Sequence, residues 1–211
     1  MKELFRREGL VLPRSREGEG HAVVGDPCVV WDEAAGSWRM VLFFFPPGHA
    51  ESVSRTADSA PGRWSSPVPL RFANPERFYG DGTHKPFIVQ DPYRPGHPAF
   101  VEGHYWLYTV DMVGDGQEKH IHRARATELG GPWLLDEEIA VPRGDAGAFD
   151  ELHVDVASAF YFPESGEFAC FYMGYPLQPR VDLPRNPFGS SIGLALQRPS
   201  EGRARKQGIV L

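Results

Sequence analysis

The sequence predicts an all-β protein built from repeated sheets of about four strands, and three observations support that prediction. The stretch Tyr105 to Val110 alternates between two sets of side chains, Tyr105, Leu107 and Thr109 against Trp106, Tyr108 and Val110, which is typical of a strand with two faces. The 23 Gly and 20 Pro residues suit many tight turns. A similar segment also recurs along the chain, and stacked four-stranded units indicate a β-propeller. A β-sandwich with coincidental similarity is the alternative.

The repeated units share one internal order: an inner strand, a polar turn, a second strand, a third strand and a closing segment. We predict units at residues 11–67, 68–140 and 141–208, with residues 209–211 opening a fourth. All of them belong to a single, incomplete propeller domain, residues 1–211. A similar apolar residue starts each unit: Val11, Val68, Val141 and Val210.

Each unit supplies its strands in the same way. In the first, Val29 to Trp31 turns through "DEAAGS" into Trp38 to Phe45, and "PGRW" closes the unit. In the second, Pro86 to Val89 is followed by "HYWLYTV" and "KHIHRARAT", and "LGGPW" closes it. In the third, Ala157 to Phe162 turns through "PESGE" into "FACFYMGY", and "SSIGLALQR" follows. The polar turns contain the Gly, Ser, Asp and Pro residues that hairpins require.

Composition argues against several classes of protein. The formal net charge of −6 and the pI of about 5.7, with no basic cluster beyond "RARK" at Arg203 to Lys206, argue against a nucleic-acid or anionic-membrane surface. Cys28 and Cys170 have neither metal-ligand nor disulfide-framework spacing, so we interpret both as buried apolar residues. The N-terminus has no signal-peptide pattern, and the longest apolar run, "MVLFFF", cannot span a bilayer. A cytoplasmic location is the expectation.

Five segments of the sequence carry a resemblance to a known group of enzymes: "GDPCVVWDEAAGSWRMVLFF", "HKPFIV", "YWLYTVD", "HIHRARATELGGPW" and "SSIGLALQ". They resemble the blade signatures of the five-bladed β-propeller glycosidases, such as glycoside hydrolase families 43, 62, 32, 68, 117 and 130. The resemblance covers nearly the whole chain and implies that about three blades are present. An open propeller has exposed edges, which self-association or a partner segment would cover.

The resemblance implies a catalytic carboxylate in an Asp-Pro pair at the start of the first inner strand, a position that Asp26 matches. This carboxylate acts as general base or nucleophile. Inner strands of successive blades converge on the axis, so His84 and Lys85, then His153 and Asp155, form the equivalent set. Glycoside cleavage also needs a carboxylic acid that protonates the leaving oxygen. Asp155 is the predicted acid.

The sequence departs from the family pattern at two places. Related enzymes have a glutamate as the acid, whereas "HVDVASAF" has Asp155, with Glu151 upstream as the other candidate. The aspartate that usually follows the second-unit proline is replaced by Phe87, and Lys85 precedes that proline. A cation there would hold Asp26 ionised or bind an anionic sugar group.

Other residues are candidates for contact with sugar or metal. Phe78, Tyr79 and Phe149 occupy loops that lead to inner strands, where they would stack on sugar rings or pack locally. His120 and His122 have a spacing that puts both on one strand face, but without a third ligand we interpret them as surface residues. No cofactor or metal is predicted, although a structural cation on the propeller axis stays open.

The sequence therefore predicts a glycoside hydrolase or glycosidase-like protein that acts on a glycan or oligosaccharide through paired carboxylates. The alternative is a noncatalytic carbohydrate-binding or scaffold propeller that has lost its general acid. In both cases the partner is a carbohydrate, not a nucleic acid or a membrane.

Overall fold

A computed structural model of the chain describes residues 23–45, 53–60, 63–80, 82–113, 118–177 and 189–211. These residues form antiparallel β-sheets and one short 3-10 helix at Pro75–Arg77, so the predicted all-β fold is confirmed. The predicted start of the first unit, residues 11–22, lies outside the described residues.

The first sheet follows the chain in simple order. Its strands are β1 (Val23–Asp32), β2 (Ser37–Phe45), β3 (Val53–Ala60), β4 (Arg63–Trp64) and β5 (Val68–Pro69). Strands β1 to β4 are neighbours in sequence order, and β5 pairs with β3. Val68 pairs with Thr56 and so belongs to the first sheet, although the sequence predicted that the second unit begins there.

The second and third sheets repeat this arrangement. The second sheet contains β6 (Gly82–Ile88), β7 (Phe100–Val101), β8 (His104–Val113), β9 (Glu118–Ala126) and β10 (Leu134–Leu135). The third contains β11 (His153–Phe162), β12 (Glu167–Tyr175), β13 (Ser191–Gln197) and β14 (Arg205–Ile209). Strand β14 pairs with β13 up to Ile209, opposite Gly193, so residue 209 continues the third sheet.

Two apolar cores lie between neighbouring sheets. Val30 and Val41 of the first sheet pack with Ile88 and Leu107 of the second. On the other side, Tyr108 and Val89 pack with residues of the third sheet such as Phe168 and Val156. Alternating side chains of the second sheet thus supply both cores, as the period of a strand allows. The sheets stack side by side in the manner of propeller blades.

The segment between β6 and β7, residues 89–99, links all three sheets. The backbone N–H of Gln90 donates to the carbonyl of Ala159 in the third sheet at 3.0 Å. The N–H of Trp31 in the first sheet donates to the carbonyl of Gly96 at 2.7 Å. These bonds fix the carboxyl ends of the inner strands β1, β6 and β11, while their amino ends surround the candidate site.

The described part of the chain contains no helix that is long and apolar enough to cross a membrane.

Candidate functional site

Each inner strand has a β-bulge near its amino end. The pairing of β1 with β2 shifts between Gly25 and Cys28, and that of β6 with β8 shifts between His84 and Phe87. In β11 the shift falls between Val156 and Ser158. Pro27 and Pro86 have no N–H for the ladder, so a bulge is where such residues fit within a strand. The Asp-Pro and Lys-Pro pairs therefore lie within the bulges of β1 and β6, where the ladder is interrupted.

Two bulge residues have backbone strain. Asp26 has φ +46° and Lys85 has φ +44°, which is the left-handed region that residues other than Gly rarely adopt. A following proline disfavours helical conformations further. Strain of this kind costs about 1–3 kcal/mol and clusters at functional sites. The two strained residues face each other, since Lys85 Nζ lies 3.7 Å from Asp26 Oδ2.

The ion pair continues inward to Asp155 and Lys119. Lys85 Nζ is 3.3 Å from Asp155 Oδ2, and Lys119 Nζ donates to Asp155 Oδ1 at 3.3 Å. The side chain of Asp26 is 50% exposed, whereas that of Asp155 is only 3% exposed. The sequence-based grouping of Asp26, Lys85 and Asp155 therefore describes a real cluster, with one carboxylate at the surface and one beneath it.

Asp155 does not occupy the position equivalent to Asp26. Counted back from the first paired residue after each bulge, Cys28, Phe87 or Ser158, the equivalents of Asp26 are Lys85 and Val156. The third strand has no proline at its bulge, and its charged residue lies one position closer to the amino end. That shift explains why Asp155 is buried while Asp26 is accessible.

The environment favours the ionised form of Asp155. Burial alone would raise the pKa of this carboxyl, but the Lys119 and Lys85 ammonium groups, with His84, outweigh burial and lower the pKa. Burial lowers the pKa of His84 to about 4, and burial with the Lys119 charge lowers the pKa of His153. At neutral pH Asp155 is therefore ionised, and the imidazoles of His84 and His153 are neutral.

A cavity of about 380 Å³ opens beside this cluster. Residues of all three bulges line it, together with one residue of β12: Asp26, Pro27, Lys85, Pro86, Phe87, Val156, Ala157 and Met173. Its wall is therefore mostly apolar, with one accessible carboxylate and one ammonium group. This composition resembles that of small-ligand sites, where few polar groups orient a ligand against apolar surface.

The structure places the other predicted site residues around this cavity or in local packing. The His84 ring lies against Phe43, with centroids 4.2 Å apart, and the His153 ring lies 4.4 Å from that of Tyr175. Glu151 Oε2 accepts a hydrogen bond from the Gly147 N–H at 2.9 Å.

The three loop aromatics have different surroundings. Phe78 packs edge-on against Phe72, with ring centroids 4.9 Å apart. Phe149 stacks on Tyr172 at 5.9 Å. A Cβ added to Gly174 would lie 2.5 Å from the Phe149 ring, so Phe149 fills space that only a glycine leaves free. Tyr79 is exposed and is the aromatic of this set whose ring is open to solvent.

Sequence reasoning missed two contributors to the site. Lys119 lies on the third strand of its sheet, away from the inner strands on which the prediction concentrated. Tyr175 ends β12, and burial together with the Asp155 charge raises its pKa to about 12. The alternation of β9 provided a signal for Lys119, because it puts Lys119 and Ile121 on the same face, and Ile121 is buried.

The interpretation of His122 as a surface residue is wrong. His122 is 2% exposed and lies beside Asp111, with its Nε2 3.4 Å from Asp111 Oδ2. Asp111 accepts hydrogen bonds from the N–H groups of Tyr79 and Gly80, at 2.6 and 3.0 Å. This pair anchors the loop that leads into β6.

A second cavity, of about 330 Å³, lies at the rim between the outer strands of the second and third sheets. Its buried Arg123 donates to Asp136 and to the carbonyls of Arg198, Pro199 and Glu201. These hydrogen bonds connect β9 to the segment between β13 and β14. Within the described ranges, no group of three or more His, Cys, Asp or Glu side chains could hold a metal ion.

No protein-family model matches the sequence, and no curated protein matches it. Solved structures do match. A glycoside hydrolase superposes with a TM-score of 0.68 at 13% identity, covering 88% of this chain and 56% of that chain. A family 117 glycoside hydrolase from the marine bacterium Zobellia galactanivorans gives 0.62 at 16% identity, covering 90% and 57%. A GH43_1 enzyme from Xanthomonas citri, complexed with xylotriose, gives 0.54 at 12% identity, covering 88% and 56%.

At these identities the likeness shows the fold. The chain spans just over half the length of the solved structures that it matches. Its sheets are arranged as in the fold of the five-bladed β-propeller glycosidases. The three described sheets correspond to about three of the five blades.

Proposed function

We propose that this chain forms a carbohydrate-binding site of the glycoside-hydrolase type in the axial cavity, with Asp26 as the carboxylate that faces the sugar. The observation that carries the proposal is the half-exposed Asp26 on a strained bulge where three inner strands meet. A glycan or oligosaccharide is the proposed ligand. The glycoside hydrolases with the same fold, one of them complexed with xylotriose, support this choice.

The proposed chemistry is hydrolysis of an O-glycosyl bond. An ionised carboxylate at the reacting face either attacks the anomeric carbon or activates a water, while a carboxylic acid protonates the leaving oxygen. Asp26 meets the first requirement, because it is accessible and faces the cavity. The apolar wall formed by Pro27, Pro86 and Phe87 would pack on the sugar ring and exclude water.

Among the described residues that line the cavity, Asp26 is the one carboxylate, so the proton donor has to come from elsewhere. A general acid works best when its pKa is raised toward the working pH. The pKa of Asp155 is lowered instead, and its side chain is 3% exposed. Glu151 accepts a backbone hydrogen bond in its loop. Hydrolysis therefore depends on Glu151 or on a carboxyl group outside the described lining of the cavity.

The ionised state of Asp155 favours a second candidate function, which is carbohydrate binding without catalysis. In that case the cavity and Asp26 retain a sugar site, and the fold lacks a working acid. The two candidates differ in turnover and agree on where the sugar binds.

The test compares the wild-type chain with Asp26→Asn on xylotriose and on a panel of aryl arabinofuranosides, xylosides, fructosides and mannosides. Turnover that falls at least a hundredfold in the variant would establish hydrolysis with Asp26 as a reacting group. Thermal stabilisation by a saccharide, without turnover and lost in the variant, would establish binding alone.

A matched control is Glu33→Gln. Glu33 is an exposed carboxylate paired with Arg94 at 2.7 Å, on the turn that follows β1. This variant removes a surface ion pair of the same kind and should keep both readouts. A wild-type chain that neither turns over nor gains stability with any saccharide of the panel would overturn the proposed function.

A further inference from the structure

We infer that Asp155 is a positioning residue: Lys119 holds it, and it in turn fixes the ammonium group of Lys85 at the cavity wall, where that group donates to a sugar hydroxyl beside Asp26. The inference rests on the proposed carbohydrate site and deepens it. It assigns Lys85 to ligand contact and gives Asp155 and Lys119 a role that acts through Lys85.

The geometry links residues of all three sheets in one chain of charges. Asp155 of β11 lies between two ammonium groups of the second sheet, with 3.3 Å to Lys85 Nζ and 3.3 Å to Lys119 Nζ. Lys85 Nζ then reaches Asp26 of β1 at 3.7 Å. Of the two lysines, only Lys85 is among the residues that line the cavity.

The fold does not require a charge at the position of Asp155. The equivalent residues, counted from the bulges, are Gly25 in β1 and His84 in β6. Buried ion pairs are also weak evidence for stability, because apolar residues of similar volume often serve as well. We therefore explain the buried carboxylate of Asp155 by its contacts with the two lysines.

What Asp155 holds is a side chain that would otherwise be mobile. Lysine has a flexible four-carbon stem, and fixing it when a ligand binds would weaken binding. Lys85 is already fixed between two carboxylates, with its side chain 15% exposed. An ammonium group has three donors, and the described residues engage Lys85 through these two carboxylates, so a donor is left for a ligand. Asp155 thus prepares the donor before the sugar arrives.

The first experiment needs no ligand. The ammonium signal of Lys85 is measured by ¹⁵N NMR in the wild-type chain and in Asp155→Asn, Lys119→Met and Lys119→Arg. We expect a slowly exchanging, ordered Lys85 signal in the wild type, loss of that signal with Asp155→Asn and Lys119→Met, and its recovery with Lys119→Arg. An unchanged Lys85 signal in Asp155→Asn would overturn the inference, whether or not a sugar binds.

The second experiment measures the affinity for xylotriose, or for the tightest saccharide of the panel, by calorimetry. Asp155→Asn and Lys119→Met should each weaken binding about tenfold, a change typical of one charged hydrogen bond. In a Lys85→Met background neither should weaken it further, because both act through Lys85. If either variant still weakens binding about tenfold in the Lys85→Met background, the inference is wrong.

Asp150→Asn is the control for a purely structural effect. Asp150 is 2% exposed like Asp155, and its Oδ2 lies 2.7 Å from Lys206 Nζ, but it does not line the cavity. This variant should lower the melting temperature without changing saccharide affinity. If Asp155→Asn also lowers the melting temperature without changing saccharide affinity, Asp155 has only a structural role, and the proposed function still stands. Wild-type affinity in Asp26→Asn would instead reject the proposed function.

Discussion

Lys85 determines the charge balance of the cavity. Its ammonium group is shared between Asp26 and Asp155, and Lys119 adds a second positive charge on the buried side. Two carboxylates and two ammonium groups cancel, so the cluster has no surplus positive charge for a uronate, sulfate or phosphate. Of the two roles that the sequence suggested for Lys85, pairing with Asp26 agrees with this geometry, and a neutral sugar fits the cluster better than an anionic one.

His84 should make the folded chain sensitive to mild acid. Burial lowers its pKa to about 4 from the ordinary 6.5, so between these values the unfolded chain binds a proton that the native chain does not. The contribution of His84 to the free energy of unfolding is therefore complete above pH 6.5, and about 3 kcal/mol of it is lost as the pH falls toward 4. Urea unfolding across this range should show a smaller loss for His84→Gln.

His97→Gln is the control for this prediction, because His97 lies in the loop between β6 and β7 and not among the charged residues around Asp155. It should keep the pH dependence of the wild type. The His153 pKa is lowered in the same direction, so His84→Gln should remove part of the dependence. A pH profile in His84→Gln identical to that of the wild type would contradict the assignment.

Among the predicted site residues, the structure brings together charged residues of the three inner strands: Asp26, Lys85 and Asp155. Asp26 and Lys85 stand before prolines, and the pattern of the repeat was enough to bring them to one axis. Lys119 could not be located in this way, because its side chain reaches the axis from a third strand. His122 was misplaced because its partner, Asp111, lies on a neighbouring strand that only tertiary pairing identifies.

At the scale of elements, the inner strands combine a rigid part and a strained part. Beyond the bulges, residues such as Cys28 and Ile88 are buried in the cores between sheets. At the bulges, the ladder is interrupted and Asp26 and Lys85 have positive φ. The buried part holds the strained part in place, which is the arrangement expected where strain serves a site. The sequence predicted these strands but not their bulges, since bulges arise from register with a partner strand.

Arg123 of β9 should be a main link between the second and third sheets. It is 2% exposed, pairs with Asp136 and donates to carbonyls of the turn before β14. Arg123→Met would remove the donor to three backbone carbonyls and would leave Asp136 with only the partly exposed Arg125, and breaking a buried ionic network of this kind costs about 3–5 kcal/mol. Arg123→Met should therefore lower the free energy of unfolding in urea by about that amount.

Arg125 offers a matched comparison, because it pairs with the same Asp136 at 2.9 Å but has a side chain that is 37% exposed. Arg125→Met should lower the free energy of unfolding by about 1 kcal/mol or less. Equal losses in the two variants would show that the ion pair to Asp136, and not the buried link between sheets, determines the effect.

For the whole molecule, the second sheet is the central component. Leu107 and Tyr108 are successive residues of β8, yet they belong to the two different cores. The repeat in the sequence was sufficient to predict stacked sheets. The sequence could not predict which sheets contain Val68 and Ile209, because strand pairing determines the sheet to which each residue belongs. Self-association, expected from the sequence for an open propeller, stays a prediction.

Because the second sheet contributes to both cores, we expect the three sheets to unfold as one cooperative unit. Leu107 is fully buried in the core between the first and second sheets, and Leu107→Ala should lower the free energy of unfolding by about 2–5 kcal/mol. Four of the five tryptophans lie in or beside the first two sheets and away from the third, so most of the fluorescence signal reports on those two sheets: Trp31, Trp38, Trp64 and Trp133. Trp106 packs on Phe168 of the third sheet and reports on that contact. Amide exchange in β12 reports on the third. Both probes should give one midpoint, and Leu107→Ala should shift both equally. Wild-type protection of the β12 amides in this variant would mean that the third sheet is a separate folding unit, and that the cavity between the bulges forms by docking of independent parts.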